Sequence, residues 1–531
     1  MDTFLQTIYP VTKIFSPIFF GFINFLFEFY YFFQSRQIVP SPEDELLLLS
    51  VTDAAELIRQ RKLTSTKLIL AYISRIKLVN PIINAVVEDN FVEAIKEAKK
   101  VDKYLDSLDD SSNEYKMLPE TKPLLGIPFT IKDTFAVKGL RLTAGIVARK
   151  NCISEIDAEV VEKVKEAGAI FLAITNVPES ARHVECNNEI YGKTKNPYDS
   201  RRTSGGSSGG EGALIASAGS IFGIGSDLCG SIRCPAAFNG IFGLKPSEDS
   251  VSLKGHYPFF SKGYPVKMCY VGPLCRYAKD LSLLFRVMSG NDEIRFKLSK
   301  PVSMNKLRFF YSNGVNSTLI EPLNSEVKKS MEKCINYFEK KYDTYVDRIN
   351  FEKLQYIMGI YFTSLAESRD GNFSHVLKQA KKDINIGTEF IKKLFGKSDH
   401  AAFSLINLLL DKHISVGKES HQFFENIRDK LRNEIIELLK DDGILIFPAW
   451  PTLAPFHSHL LVGYFNKYYA GIWNALRLPA ITCPIGFNEA GLPLSVQLIA
   501  SPDNDRLLIA AANDLEQCFG GWKTPFLMQN K

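Results

Sequence analysis

A run of glycine, serine and other small residues occupies positions 203–236 of this chain, TSGGSSGGEGALIASAGSIFGIGSDLCGSIRCPA. Small side chains offer little with which to build a core, whereas glycine lets the backbone take positive φ angles and approach another group closely. The run therefore suits a site made from backbone amides. Within it, Ser207, Ser208 and Ser231 are candidate nucleophiles, with neighbouring N–H groups available to bind an oxyanion.

A flexible Gly/Ser linker has a similar composition. This run, however, continues into two apolar segments, ALIA at residues 213–216 and IFGI at residues 221–224. Because a linker would stay polar, the sequence indicates that the run lies inside a folded domain.

The composition predicts a large globular protein and argues against a nucleic-acid partner. With 531 residues, 45% of them hydrophobic, the chain can bury a large core. Its net charge of +5 is spread over 64 basic and 59 acidic residues, without the basic block of a nucleic-acid-binding arm. The nine cysteines show neither CxxC pairs nor metal-ligand spacing and are interpreted as mostly free, buried thiols. No nucleotide-binding fingerprint occurs, so no nucleotide is implied.

The amino terminus differs from the rest of the chain, because residues 14–33 are dense in Phe, Ile, Leu and Tyr. Their number is close to the ~20 apolar residues that a membrane-spanning helix needs. A cleaved signal peptide and an interfacial or hairpin anchor are the alternatives, since Glu28 is costly at mid-bilayer and Pro17 would kink a helix. We predict a single membrane anchor and linker at residues 1–40. One large domain is expected at residues 41–531, because no internal repeat divides it.

Helical patterns alternate with short apolar runs along this domain, which predicts an α/β fold whose sheet is covered on both faces. The Asn-Pro pair at residues 80 and 81 is expected to close the second helix. Helices are predicted at residues 50–61, 64–79, 91–105, 160–167 and 278–288, and strands at residues 124–133, 169–175, 443–447 and 494–499.

A lysine lies at the end of one predicted strand, LLGIPFTIKD. Lysine is usually a solvated surface charge. Lys132 instead follows a run with a buried pattern, and a desolvated ammonium has the lowered pKa that a lysine base requires. The residues alone leave a surface role and a catalytic role open.

Two segments, GGSSGGEGAL from Gly205 and SDLCGSIRCPA from Ser226, resemble the signature motif of the amidase signature family in both content and separation. The resemblance implies one α/β/α domain with a mixed central sheet, and amide hydrolysis without a metal or organic cofactor. It also implies a triad in which Ser231 is the nucleophile, Ser207 is a serine that follows a cis peptide bond, and Lys132 is the base.

The same resemblance implies an oxyanion site beside the triad. Backbone N–H groups of residues 228–231, namely Leu228, Cys229, Gly230 and Ser231, are expected to hold the oxyanion. From the residues themselves, Ser208 and Ser226 are expected to support the site by hydrogen bonding. Asp227 and Arg233, which flank Ser231, are expected to form an ion pair that fixes the loop. Cys229 departs from the family pattern, which has glycine or alanine there, so its side chain is expected to narrow the oxyanion pocket or alter which acyl groups fit.

Further segments, among them VNPIINAVV from Val79 and FNGIFGLKPS from Phe238, resemble the membrane-anchored fatty acid amide hydrolases, most closely their second type. That resemblance implies hydrolysis of long-chain fatty acid amides, such as N-acylethanolamines and primary amides. It also implies contact with membrane lipid, at an endomembrane or a lipid droplet. Monomer and homodimer both stay open.

Three other interpretations stay open. Residues 205–209 also satisfy the G-x-S-x-G pattern of α/β hydrolases, with Ser207 as nucleophile and His457 or His459 as base, but that pattern needs a preceding strand and follows a polar turn here. A membrane-tethered binding or scaffold protein would explain Cys229. An amidase or esterase acting on other small amides or esters would share the motif. The His-Ser-His triplet is too little for a metal site.

Overall fold

The structure, a computed structural model, describes residues 2–259, 263–315, 317–366, 377, 384–413 and 417–525. Its strands are β1 (Val86–Asp89), β2 (Pro128–Lys132), β3 (Ile170–Thr175), β4 (Asn187–Asn188), β5 (Gly192–Lys193), β6 (Phe222–Asp227), β7 (Phe242–Lys245), β8 (Tyr270–Cys275), β9 (Arg308–Tyr311), β10 (Val346–Arg348), β11 (Gly443–Pro448), β12 (Ala480–Phe487) and β13 (Pro493–Ile499).

The α-helices of the described residues surround the main sheet. They are α1 (Asp2–Phe32), α2 (Val51–Arg59), α3 (Ser65–Ile83), α4 (Phe91–Ser107), α5 (Asn113–Thr121), α6 (Glu159–Glu166), α7 (Gly209–Ala216), α8 (Arg233–Asn239), α9 (Tyr264–Met268), α10 (Leu281–Ser289), α11 (Asp292–Ser299), α12 (Ser325–Tyr342), α13 (Ile357–Ala366), α14 (Ile386–Leu394), α15 (Ala402–His413), α16 (Lys418–Leu439), α17 (Tyr468–Ala475) and α18 (Asp505–Phe519).

Within the described part of the chain, eleven strands form one mixed sheet in the order β1-β3-β2-β6-β8-β7-β12-β13-β11-β9-β10. Parallel pairs lie toward both ends, where β2 lies between β3 and β6, and β9 lies between β11 and β10. Antiparallel pairs connect these two regions through β8, β7, β12 and β13. The predicted α/β class with a mixed sheet is confirmed.

The central strands are buried along their whole length, which explains their apolar sequences. Every residue of β2, β3 and β13 is buried. Helices cover them: α18 packs on β12, α12 packs on β13 and α8 packs on β12 and β13. Strands covered on both faces lack the alternation of apolar and polar residues that marks a half-exposed sheet.

The prediction that Asn80 and Pro81 close α3 is wrong. The helix continues through Pro81 to Ile83 and ends where Asn84 adopts a left-handed conformation. The side chain of Asn80 instead caps the next segment, because its carbonyl oxygen accepts hydrogen bonds from the amides of Ala85 and Val86 at 2.7 and 2.8 Å. A proline in the last turn of a helix removes only one intrahelical hydrogen bond there.

Helix α1 is apolar, and its side chains at residues 15–32 are largely uncovered. Among the described residues it is the one helix long and apolar enough to cross a membrane, over Phe15–Phe32, a test that signal sequences also pass. Phe22, Phe25 and Phe29 are each about 60% exposed. The presence of this apolar helix agrees with the prediction from the sequence.

The other face of α1 is docked on the domain. The His459 ring nitrogen Nε2 lies 2.6 Å from the side-chain oxygen of Asn24. The ring of Tyr31 stacks on that of Phe456 with centroids 4.6 Å apart, and its hydroxyl donates to the carbonyl of His457 at 3.2 Å. The helix therefore rests on the segment at residues 456–459.

Candidate functional site

Two neighbouring parallel strands bring the predicted site residues to one edge of the sheet. Strand β2 ends at Lys132 and pairs in parallel with β6, which ends at Asp227. Parallel strands that lie side by side have their carboxyl ends at the same edge, where ligands bind in open α/β sheets. The loop that carries Ser231 follows β6, and the loop that carries Ser207 and Ser208 leads into α7.

Lys132 and Ser207 are in direct contact. The Lys132 ammonium nitrogen lies 2.7 Å from the Ser207 hydroxyl and 3.0 Å from the Ser226 hydroxyl. The lysine side chain is completely buried, and this burial lowers its pKa to about 8. Lys132 is therefore about half neutral near pH 8 and mostly neutral only above it, and a neutral amine can accept a proton.

Glycines let the loop that carries Ser207 pack closely against neighbouring backbone. A Cβ on Gly206 would lie 2.5 Å from the carbonyl oxygen of His183, and one on Gly210 would lie 2.5 Å from the amide nitrogen of Asn176. Real Cβ atoms do not approach so closely, so only glycine fits at both positions. The peptide bond between Gly206 and Ser207 is cis.

A buried ion pair shapes the loop that carries Ser231. Arg233 donates to the carboxylate of Asp227 at 3.0 Å, and both side chains are completely buried. Although burial opposes its ionisation, Arg233 holds the pKa of Asp227 well below its usual range. The same carboxylate accepts hydrogen bonds from the amides of Gly230 at 2.7 Å and Ile232 at 3.1 Å. The pair thus fixes the backbone on both sides of Ser231.

This arrangement modifies the expected oxyanion site. Because the Gly230 amide donates to Asp227, Gly230 contributes to the shape of the loop. The amides of Leu228, Cys229 and Ser231 remain the candidates for holding an oxyanion. Ser208 connects the two loops, since its amide donates to the carbonyl of Ser231 at 3.1 Å.

The thiol of Cys229 packs against helix α17. A Cβ on Gly471 would lie 2.5 Å from this sulfur, so the glycine makes room for the cysteine. Its Sγ lies 3.7 Å from the carbonyl oxygen of Lys467. Burial raises the pKa of the thiol to about 11, so Cys229 is protonated at neutral pH and poorly suited to act as a nucleophile.

Ser231 opens onto a cleft. Apolar side chains make up much of its wall, together with several aromatic and polar ones. The lining residues are Ala181, Arg182, His183, Val184, Leu228, Cys229, Ser231, Tyr361, Phe362, Leu365, Asn407, Leu410, Tyr464, Lys467 and Tyr468.

The two histidines of the alternative scheme are engaged elsewhere. His457 contacts the carboxylate of Glu185 at 2.8 Å through Nδ1 and the carbonyl of Ser200 at 3.2 Å through Nε2. His459 contacts Asn24 of helix α1. Both ring nitrogens of His457 are occupied, so neither serves Ser207 in this arrangement.

Several residues of the site were not identified from the sequence. Asn474 and Gln497 accept hydrogen bonds from Arg233 at 2.7 and 3.0 Å. His256 lies 2.9 Å from the Ser226 hydroxyl. Glu211, beneath β2, accepts hydrogen bonds from Thr130 and Thr175, and burial raises its pKa to about 8. Of these, Glu211 carries a sequence signal, because it is the one charged residue in the glycine-rich run before Asp227.

Among the described residues, no group of three or more His, Cys, Asp and Glu side chains is arranged to hold a metal ion. The nine cysteines are all free.

Comparison with known proteins identifies relatives over nearly the whole chain. The family model described as Amidase matches residues 67–509. Fatty-acid amide hydrolase 2 from Homo sapiens is 39% identical over 493 residues, which cover 92% of each chain. Fatty-acid amide hydrolase 2-A from Danio rerio is 38% identical over 496 residues, again 92% of each chain.

Solved structures share the fold. A structure described as fatty acid amide hydrolase superposes with a TM-score of 0.71 at 21% identity, covering 91% of this chain and 87% of that one. A structure described as the crystal structure of amidase superposes with a TM-score of 0.70 at 24% identity, covering 89% of this chain and all of that one.

Proposed function

Because the chain belongs to the amidase signature family and is an amide hydrolase, we propose that it cleaves long-chain fatty acid amides to a fatty acid and an amine. The observation that carries the catalytic part of this proposal is the 2.7 Å contact between buried Lys132 and Ser207. In this contact an amine with a lowered pKa meets a serine of the motif, one loop away from Ser231, which supports the role of Lys132 as base.

In the proposed mechanism Ser231 is the nucleophile. Its oxygen forms a bond to the amide carbon while its proton passes to Ser207, which gives its own proton to neutral Lys132. The carbonyl π electrons move onto oxygen, and the amides of Leu228, Cys229 and Ser231 stabilise the resulting oxyanion.

The return of the proton breaks the amide bond. The Lys132 ammonium gives a proton to Ser207, which passes its own proton to the nitrogen of the leaving amine as the carbon–nitrogen bond breaks. The acyl group then stays on Ser231 until water, activated by the same path, releases the fatty acid. One proton path thus serves both the weak nucleophile and the poor leaving group.

Three observations support a lipid amide as the substrate. Apolar residues line much of the cleft next to Ser231. The helix α1 presents exposed phenylalanines. Relatives at 38–39% identity are named fatty-acid amide hydrolase 2. In this proposal residues 1–40 anchor the protein to an endomembrane or a lipid droplet, and residues 41–531 form the amidase domain.

The test is turnover of a long-chain N-acylethanolamine in detergent by the wild-type protein and three variants. Ser231→Ala should lower kcat by at least about 10³-fold, and Lys132→Ala by about 10²–10⁴-fold. His457→Gln, which keeps an N–H toward Glu185, should stay active.

Loss of activity in His457→Gln with survival in Lys132→Ala would overturn the mechanism. Activity restricted to short amides or esters would overturn the lipid substrate. No turnover by the wild type or by Cys229→Gly, across amides and esters, would favour a binding protein of this fold.

A further inference from the structure

Lys132 has a second hydrogen-bonded neighbour that the proposed mechanism does not use. Besides Ser207, the amine contacts Ser226 twice, through the hydroxyl at 3.0 Å and the backbone carbonyl at 3.4 Å. The Ser226 hydroxyl in turn lies 2.9 Å from Nε2 of His256, and Nδ1 of that histidine lies 3.1 Å from the carbonyl oxygen of Pro258. Lys132, Ser226 and His256 are all buried.

The carbonyl of Pro258 fixes the tautomer of His256. A carbonyl oxygen only accepts hydrogen bonds, so Nδ1 carries the hydrogen and donates it. Burial, together with the nearby Lys132, lowers the pKa of the imidazole to about 3, so the ring is neutral. Nε2 of a neutral ring with hydrogen on Nδ1 is an acceptor. The Ser226 hydroxyl must therefore donate its single hydrogen to Nε2.

The direction of the hydrogen bond from Ser226 to His256 determines how Ser226 contacts Lys132. Since the hydrogen of the Ser226 hydroxyl is used on His256, that oxygen can only accept from the lysine. The Ser226 carbonyl can also only accept. A neutral amine has two N–H groups and one lone pair. With both N–H groups directed at Ser226, the lone pair is left facing the Ser207 hydroxyl, where a base has to present it.

We propose that His256 is a positioning residue for the amide hydrolysis: by holding the Ser226 hydroxyl as an acceptor, it aims the lone pair of Lys132 at Ser207. The inference rests on the proposed function, because it presumes that Lys132 is the base. Without an acceptor at this position, the Ser226 hydroxyl is free to donate to Lys132. It then competes with Ser207 for the lone pair.

His256 also packs edge-on against the ring of Phe135, with centroids 4.9 Å apart. A variant at position 256 therefore changes packing as well as hydrogen bonding. Three variants separate the two effects. His256→Leu removes the acceptor, His256→Gln keeps an acceptor of similar reach, and Phe135→Leu alters the packing contact alone.

The experiment measures kcat and KM of the full-length protein with a long-chain N-acylethanolamine, alongside thermal melting of each variant. His256→Leu should lower kcat by about tenfold or more with KM unchanged, the effect of one misdirected hydrogen bond. His256→Gln should recover most of that loss. Phe135→Leu should keep kcat even where it lowers the melting temperature.

A double-mutant cycle provides the sharpest test. Once Ser226→Ala has removed the hydroxyl, His256 has nothing to orient, so adding His256→Leu should cost no further activity. Additive losses, or equal kcat in folded His256→Leu and the wild type, would overturn the inference. Failure of the proposed function looks different, because either the wild type would not turn over the N-acylethanolamine or Lys132→Ala would keep its activity.

Discussion

Lys132 shows how burial at a single residue suits an amine to the role of base that we propose for it. The fully buried amine loses its hydration, which lowers its pKa to about 8, while nearby acidic groups such as Asp227 limit the shift. In an unfolded chain the same amine stays charged until about pH 10.4. The fold thus brings the titration of a lysine close to physiological pH.

The pH dependence of kcat should therefore report Lys132. Only the neutral amine accepts a proton, so kcat is expected to rise with pH to a plateau, with an apparent pKa near 8. Below that value, kcat should fall about tenfold per pH unit. A pH–rate profile on a fatty amide, compared with that of His457→Gln, measures this. The fall of kcat at low pH should be the same in His457→Gln as in the wild type. An apparent pKa of about 6.5 that is absent from His457→Gln would instead indicate a histidine base.

The sequence motif led to the residues that we propose to react, but not to those that hold them in place. Ser207 and Ser231 stand in the glycine-rich run, and Lys132 ends a recognisable strand. Asn474 and Gln497, which accept hydrogen bonds from Arg233, lie more than 200 residues later in the chain. Only the folded sheet brings them together, and an isolated Asn or Gln carries no periodic signal.

At the scale of elements, helix α17 fits the loop that carries the nucleophile candidate. The helix has glycine at position 471, where a Cβ would lie 2.5 Å from the sulfur of Cys229. The cysteine that departs from the family pattern is thus accommodated by an adjacent backbone. Its side chain takes up space that the helix leaves free.

Gly471→Ala tests this fit. In an open helix the change would stabilise the protein by about 1 kcal/mol. Here the added methyl group should displace Cys229 and destabilise the protein by about 1–3 kcal/mol. Because Cys229 lies in the loop that carries Ser231, the displacement should also lower kcat. Chemical denaturation and turnover measure both effects.

The matched control is Gly471→Ala combined with Cys229→Gly. Removal of the thiol makes room for the methyl group, so the double variant should recover stability and kcat relative to Gly471→Ala. Equal losses in the two proteins would show that Cys229 and Gly471 do not compete for space.

Element types were predicted better than element ends. Strand β3 was expected at residues 169–175 and spans Ile170–Thr175. Strand β12 was not predicted; its Pro484 lies where the pairing with β13 becomes irregular. A proline within an apolar run argues against a central strand, and only the partner strand shows that the irregularity tolerates it.

In the whole molecule, helix α1 has one uncovered face and one face that is docked on the domain. The uncovered face carries the phenylalanines expected to enter a membrane. Replacing Phe22, Phe25 and Phe29 with serine should move the protein from the vesicle fraction to the soluble fraction in a flotation assay, because burial of each ring contributes about 1.5–3 kcal/mol. Turnover of a water-soluble amide should be unchanged.

The control protein is a variant with Val92→Ser, an exposed apolar residue on α4, which should float like the wild type. A wild-type protein that stays soluble in the presence of vesicles would contradict the anchor.

The class of the fold followed from the alternation of helices and apolar runs, whereas the order of the strands did not. The sheet places β8 between β6 and β7, and β12 next to β7, although more than 200 residues separate β7 from β12. Such pairing depends on contacts across the whole chain. A pattern read in short windows contains no information about it.

One short segment connects helix α1 with the cleft. Phe456 and His459 support helix α1, while Tyr464, Lys467 and Tyr468, a few residues later, form part of the cleft wall. The segment at residues 456–468 thus contacts helix α1 at one end and lines the cleft at the other. Because one segment contacts both the helix and the cleft, we expect chain-length preferences measured in detergent micelles and on lipid vesicles to differ, so each should be determined in its own medium.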